Sequence, residues 1–177
     1  MGAFAGSPLA AADPVAKLTA YAINMSNIGG GGSSTVYITI DRWSTDAERD
    51  SLRTVFVEKG PEKLLTTLQK LPRIGFMRLP NRLGYDLHFA RETSLDEGGR
   101  RILVATDRPI GFEEARSRPR TIDYPFTLVE IRLKRDGTGE GKMSLATKIS
   151  LNQKERVLEL ENYSSEPVRL TNVKADK

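Results

Sequence analysis

Cysteine is absent from this 177-residue chain, and histidine occurs once. Without cysteine there is no disulfide framework, no thiolate metal site and no cysteine nucleophile. A single histidine also argues against a zinc site, because zinc usually takes several nitrogen or sulfur ligands. We therefore predict no metal-ligating residues and no cofactor; the alternative left open is a carboxylate-rich calcium or magnesium site.

Long apolar runs and blocks of one charge are absent as well. No stretch reaches the roughly 18 apolar residues of a membrane-spanning helix, so no transmembrane span is predicted. The net charge is +4, and lysine and arginine alternate with acidic residues along the chain. Nucleic-acid binding usually depends on cations gathered on one face, so no nucleic-acid partner is predicted.

The first twelve residues are small or apolar and uncharged after Met1, and they end in three alanines before Asp13. A signal peptide ends in such a small-residue cleavage site. We interpret residues 1–14 as the remnant of a signal peptide truncated at its N-terminus, which predicts a periplasmic or secreted bacterial protein. The alternative is a disordered, alanine-rich terminus. Residues 15–174 have the size of a single domain.

Alternation of apolar and polar residues with a period of two predicts nine strands. They cover residues 17–25, 36–40, 73–79, 83–89, 100–106, 126–134, 143–151, 157–163 and 168–173. In the fourth of these, Tyr85, Leu87 and Phe89 share one face. The last four strands follow one another closely and predict a four-strand meander.

One segment changes to helical spacing. Thr45 with Glu48 three residues later forms a capping box, which predicts a helix that begins there. Gly60 suits the end of this helix, and Pro61 suits the first turn of a second one. Two short helices are therefore predicted at about residues 45–71, inserted between strands.

Nine strands with short turns and one helical insertion favour an antiparallel β domain of about eight or nine strands. Two architectures remain open. One is a barrel with lipocalin-like closure, which abolishes exposed edges and can hold a small ligand; the other is a sandwich, whose middle is filled by side chains.

The sole histidine, His88, follows Asp86 at a spacing of two, so on a regular strand both side chains lie on one face about 7 Å apart. They are candidates for an acid/base pair. No Gly-x-Ser-x-Gly turn occurs in the chain, which argues against a serine hydrolase. The alternative is a solvated or structural role on a half-buried strand.

Arginines are densest in the proline-rich connection before the sixth strand, where they are candidates to bind an anionic ligand or to pair with nearby carboxylates. Aromatic residues close to this connection and to the helical insertion are candidates to line a pocket. The predicted ligand-binding residues are Tyr85, Arg108, Arg116, Arg118, Arg120, Tyr124 and Trp43.

Four segments together resemble a family of exported bacterial proteins of uncharacterised function. They are residues 41–50 (DRWSTDAERD), 105–110 (ATDRPI), 122–127 (IDYPFT) and 141–150 (GKMSLATKIS). The resemblance extends over nearly the whole chain from Lys17. It implies a full signal peptide ahead of the domain, and it brings no reaction, ligand or catalytic residues.

Three functions remain open. The first is a non-enzymatic module that binds a small apolar or anionic ligand. The second is an enzyme of the hydrolase or isomerase type that uses Asp86 and His88. The third is an interaction or assembly protein of the cell envelope, which a large exposed apolar patch would favour. The oligomeric state is left open.

Overall fold

The computed structural model describes residues 13–24, 32–80, 84–107, 126–152, 157–162 and 167–176. These residues contain nine strands, two α-helices and one short 3-10 turn at Asp96–Gly98. The strands are β1 Ala16–Asn24, β2 Gly32–Ile40, β3 Gly75–Arg78, β4 Tyr85–Ser94, β5 Arg100–Thr106, β6 Phe126–Leu133, β7 Thr138–Asn152, β8 Val157–Asn162 and β9 Val168–Ala175. The helices are α1 Asp46–Lys59 and α2 Pro61–Lys70.

Eight of these strands close into an antiparallel barrel. The strands β1 to β7 follow one another around the wall, and β9 completes it by pairing with both β7 and β1. The barrel predicted from the sequence is thus confirmed, and the sandwich is excluded. Closure leaves no unpaired edge between the first and last strands of the wall.

The end of the chain differs from the predicted four-strand meander. β8 pairs with residues 147–152 of β7, whereas β9 pairs with residues 138–143 of the same strand. Both strands run antiparallel to β7 along one of its edges, so β9 neighbours β1 and β7 and has no ladder with β8. The meander was wrong because the fifteen-residue β7 is long enough to hold two shorter strands in line.

Aliphatic side chains fill the described interior of the barrel in one contiguous cluster. They come from every strand of the wall, at the inward positions of the period-two pattern. Burying one such side chain stabilises the fold by roughly 1.5–3 kcal/mol. The largest fully buried members are Leu18, Ile38, Ile40, Ile74, Met77, Leu87, Ile102, Ile131, Met143 and Leu170.

The helical insertion begins and divides where its sequence predicts. The Thr45 hydroxyl accepts from the Glu48 backbone N–H at 3.1 Å, and the Glu48 carboxylate accepts from the Thr45 N–H at 2.8 Å. Gly60 separates the helices with a φ of 80°, which glycine adopts without strain, and Pro61 opens α2.

The two helices pack on the outside of the barrel, over β4, β5 and β6. They form a second apolar cluster that is separate from the barrel interior. Its buried members are Leu52, Phe56, Leu64, Leu68 and Ala105, with Leu65, Leu71, Phe89 and Leu128 partly buried against them. The leucines of α2 are thus the surface that docks on the wall.

An ion pair joins the start of α1 to the end of β2. Arg42 donates to both carboxylate oxygens of Glu48, at 2.7 and 2.9 Å. These hydrogen bonds lower the pKa of Glu48 to about 2, against the opposing effect of burial, and the Thr45 N–H contributes further. Glu48 therefore holds the helix cap and the barrel wall together.

The strand β4 carries a bulge at His88. Leu87 pairs with Thr106 and Phe89 pairs with Ala105, so two steps along β4 correspond to one along β5. Leu87 consequently faces the barrel interior, while Phe89 joins the cluster under the helices. The prediction that these two side chains share a face was wrong, because the extra residue shifts the alternation.

Candidate functional site

The proline-rich connection lies outside the described residues, as do residues 1–12 at the N-terminus. The candidate residues in this connection are Arg108, Arg116, Arg118, Arg120 and Tyr124. Two other candidates, Trp43 and Tyr85, are half-buried and pack against the barrel core. Their apolar rings thus contribute to the packing of the barrel.

His88 is held between the end of α2 and the end of β5. Its Nδ1 atom lies 2.9 Å from the carbonyl oxygen of Leu71. Because a carbonyl oxygen only accepts, Nδ1 carries the proton in this contact. Its Nε2 atom lies 4.0 Å from a carboxylate oxygen of Asp107, and 13% of the His88 side chain is exposed. Both ring nitrogens therefore face oxygens of the protein.

Asp86 has a different partner. One of its carboxylate oxygens lies 3.7 Å from the Arg73 guanidinium, and Arg73 also approaches Asp41 at 3.9 Å. Just over half of the Asp86 side chain is exposed. The structure thus pairs Asp86 with Arg73 and places Asp107 opposite His88, because the bulge re-aims the histidine toward the end of β5.

An open groove of about 860 Å³ lies at the end of the barrel where the β4–β5 and β6–β7 turns meet β9. Its walls carry both signs of charge, with Asp96 and Glu97 on one turn and Lys134 and Arg135 on the other. A further carboxylate, Asp136, accepts from the Thr138 N–H and hydroxyl and so closes its own turn. The balance of charges favours no one class of ligand.

A different surface has one sign of charge only. The segments of β1, β2, β3 and β9 contain no aspartate and no glutamate. These four strands are neighbours in the wall, in the order β3-β2-β1-β9. We call the outward side of these strands the acid-free face. It carries four exposed cations, which are Lys17, Arg78, Arg169 and Lys174.

The strand register arranges the acid-free face in rows. Lys174, Thr19, Tyr37 and Arg78 are direct partners across β9, β1, β2 and β3. With strands about 4.8 Å apart, this row is about 14 Å long. Its two ends are cations, and its middle is a threonine and a tyrosine.

Three shorter rows flank this one at about 7 Å intervals along the strands. They are Lys17–Thr39–Phe76, Thr171–Tyr21–Thr35 and Arg169–Ile23–Ser33. Cations thus stand at the margins of the face and aromatic rings near its centre. Among the described residues, the first carboxylates beyond it are on β4 and β7 at its sides, and at Asp41 and Asp176 at one end.

The cations of the acid-free face are available to a ligand. In the part of the chain that the structure describes, none of the four forms an ion pair. Elsewhere, Arg42, Arg49, Arg91 and Arg100 each pair with a carboxylate, whereas Arg53, Arg101 and Arg135 also form no ion pair among the described residues. What distinguishes the face is that its four strands provide no acidic partner.

Sequence reasoning missed this surface. It searched for cations that are dense along the chain and selected the proline-rich connection. The signal was instead a lack of acidic residues in four strand segments, of which the last lies about 150 residues from the first. Once β9 is paired with β1, the four segments without acidic residues become neighbours and form one surface.

Two further observations concern cofactors and membranes. Within the described ranges, no three side chains of histidine, aspartate or glutamate come together as metal ligands. Neither α1 nor α2 has the length and hydropathy needed to cross a membrane.

No protein-family model, curated protein or solved structure matches this chain.

Proposed function

We propose that this protein is a non-enzymatic binding module for an anionic ligand, which it holds on the acid-free face. The observation that carries the proposal is the set of four exposed cations on strands that contain no carboxylate, none of which forms an ion pair with another described residue. A surface that carries charges of one sign raises the local concentration of an oppositely charged ligand and speeds its association. As part of the same proposal, the chain is exported, as its small-residue N-terminal segment indicates.

The barrel interior supports this proposal less well than the outer face does. Its described aliphatic side chains contact one another in a single cluster. A buried apolar ligand needs space that such packing occupies. We therefore assign the anionic ligand to the outside of the wall, and we propose no apolar ligand.

The enzyme alternative depends on His88, whose best partner is Asp107. A general base needs a ring nitrogen within hydrogen-bond reach of its substrate. Here Nδ1 is engaged by the Leu71 carbonyl and Nε2 faces the Asp107 carboxylate. This arrangement favours a histidine that positions α2 on the barrel.

The alternative of an envelope interaction protein needs a large apolar patch. The exposed large hydrophobic residues of the described chain form no large patch: two are neighbouring tyrosines on β1 and β2, one is on α1, one precedes β1 and one follows β4. They are Val15, Tyr21, Tyr37, Val57 and Leu95. The two tyrosines belong to the acid-free face, where hydroxyl groups and cations surround them.

A matched pair of charge reversals tests the proposal. The variant Arg78→Glu/Arg169→Glu changes the acid-free face, and Arg53→Glu/Arg101→Glu makes the same change in net charge on α1 and β5. Arg53 and Arg101 are exposed. The measurement is the salt concentration that elutes each protein from immobilised dextran sulfate, with circular dichroism to check folding.

We expect the first variant to elute at much lower salt than the wild type and the second to elute close to it. Exposed charges act within about 10 Å at ordinary salt, so a local site distinguishes the two variants. Equal shifts for both variants would mean that net charge alone drives retention, and the proposal would then fail.

A further inference from the structure

We propose that the ligand of the acid-free face is an acidic polysaccharide, a chain of sugar rings that carries carboxylate or sulfate groups. This inference rests on the proposed function and specifies its ligand class. It is drawn from the side chains that lie between the cations, from the shape of the surface and from the contact between Arg78 and Tyr37.

The centre of the face is rich in hydroxyl groups. Threonine or serine occupies at least one position in every row, and two tyrosines add phenolic hydroxyls. A hydroxyl group both donates and accepts hydrogen bonds. Sugar hydroxyls have the same double capacity, so such a surface matches a sugar chain along its whole length.

Some of these hydroxyls are already oriented. The Tyr21 hydroxyl donates to the hydroxyl of Ser33, and the Thr171 hydroxyl donates to the Tyr21 carbonyl oxygen. The Ser33 hydroxyl is the acceptor in this contact. Local bonds of this kind reduce the rotational freedom that a ligand would otherwise have to restrict.

Arg78 and Tyr37 form the best-defined anion contact on the face. The guanidinium carbon of Arg78 lies 5.6 Å from the centroid of the Tyr37 ring. A guanidinium in this cation–π contact still presents its fork of N–H groups, which matches the two oxygens of a carboxylate or sulfate. The phenol beside it offers a hydroxyl to the same ligand.

The dimensions of the face favour a polymer. It extends over four strands and about 14 Å across the sheet, and over roughly 20 Å along β1. The described groove reaches this face only at its β9 margin, where Lys174 lines it, so a small molecule bound there would leave the other three cations unused. An extended chain, in contrast, can contact several rows at once.

Two other anionic partners fit the same surface less well. Single-stranded nucleic acid is held by bases stacked on open aromatic faces, and Arg78 already lies over the Tyr37 ring. Insertion into a membrane interface uses large apolar side chains such as tryptophan, phenylalanine and leucine. The exposed aromatic residues here are tyrosines.

The test compares polymers with one backbone and different charges. Binding of the full chain to dextran, carboxymethyl-dextran and dextran sulfate is measured by calorimetry, beside polyphosphate, oligothymidine and vesicles of phosphatidylglycerol. We expect the two charged dextrans to bind more tightly than polyphosphate, oligothymidine or vesicles at equal salt. Neutral dextran should bind weakly.

Hydroxyl variants add a second measurement. Thr35→Val removes a hydroxyl from the face, and Thr93→Val makes the same change on the exposed side of β4. We expect Thr35→Val to weaken binding of carboxymethyl-dextran about threefold to tenfold, the range for one lost hydrogen bond. Its binding to polyphosphate should stay unchanged, and Thr93→Val should behave as wild type.

Two outcomes would overturn the inference in different ways. If all polyanions bind equally and Thr35→Val has no effect, while Arg78→Glu/Arg169→Glu abolishes binding, the face binds anions and the polysaccharide assignment is wrong. If no polyanion binds the wild type, the proposed function fails together with it. If oligothymidine or the vesicles bind most tightly, the polysaccharide assignment is wrong and the ligand of the face is a nucleic acid or a membrane surface.

Discussion

The Nδ1 atom of His88 lies 2.9 Å from the carbonyl oxygen of Leu71, the residue that ends α2. This hydrogen bond joins the helical insertion to the bulge of β4. It gives the only histidine of the chain a structural partner. A side chain that looked catalytic in the sequence thus fixes one end of α2 against the barrel wall.

Replacing this histidine tests its structural role. His88→Ala leaves the Leu71 carbonyl without its donor, which we expect to cost about 1–3 kcal/mol of the free energy of unfolding. Asp107→Asn keeps the Nδ1 contact and should cost much less. Urea unfolding at neutral pH measures both, and equal stability of His88→Ala and wild type would contradict the assignment.

The capping box at Thr45 gives a prediction of a similar size. Thr45→Ala removes the acceptor of the Glu48 N–H, and we expect a loss of about 0.5–2 kcal/mol in the free energy of unfolding. The control is Thr67→Ala in α2, whose hydroxyl donates to the carbonyl oxygen of Lys63, four residues back. A control as destabilised as Thr45→Ala would show that the cap adds nothing specific.

Acid should weaken the ion pair between Arg42 and Glu48. The pKa of Glu48 is lowered from 4.5 to about 2 in the folded protein, chiefly by the hydrogen bonds from Arg42. A lowered carboxyl pKa stabilises the fold above the unfolded value, and this contribution is lost as the pH falls toward the folded value. The relevant window therefore runs from about pH 4.5 down to about pH 2.

We accordingly expect Glu48→Gln to lower the urea midpoint most at neutral pH, with the difference from wild type shrinking through that window. Arg42→Met should show the same pH dependence, because it removes the cation that lowers the pKa of Glu48. A difference between Glu48→Gln and wild type that stays constant from neutral pH to pH 2 would contradict this account.

Gly75 is required where β3 passes close to β2. A Cβ atom there would overlap the carbonyl oxygen of Thr39 and lie 3.0 Å from the Cα atom of Ile40. Both obstacles are backbone atoms and cannot rotate away. We expect Gly75→Ala to cost at least about 1–3 kcal/mol, the usual range for overpacking.

The control for Gly75→Ala is Gly84→Ala, where the nearest heavy atom to an added Cβ is the Met77 carbonyl oxygen at 3.6 Å. That distance is an ordinary contact, so this variant should remain close to wild type. Thermal unfolding of the two proteins makes the comparison. Similar melting temperatures would mean that β3 moves away from β2 without cost.

The helical insertion shows how far local signals reach. Thr45, Glu48, Gly60 and Pro61 act through hydrogen bonds and backbone angles within a few residues, so the sequence alone predicts both helices correctly. The strands follow from the same kind of local pattern. Alternation of apolar and polar residues separates the two faces of β1, β2 and β6 before any pairing is known.

The bulge at His88 shows where such reasoning stops. One extra residue in β4 moves Phe89 to the face opposite Leu87. Histidine and phenylalanine both occur in regular strands, so the residue types at this point do not reveal the bulge. For the same reason Asp86 and His88 contact different partners in the structure. Their partners, Arg73 and Asp107, are set by how β4 packs against its neighbours.

The sequence by itself determined the class of fold, the helical insertion and the positions of the strands, because these depend on residues close together along the chain. Only the tertiary structure decided that β9 closes the barrel against β1. That pairing turns four scattered segments without acidic residues into one cationic surface, since side chains from distant parts of the chain become neighbours only through strand register.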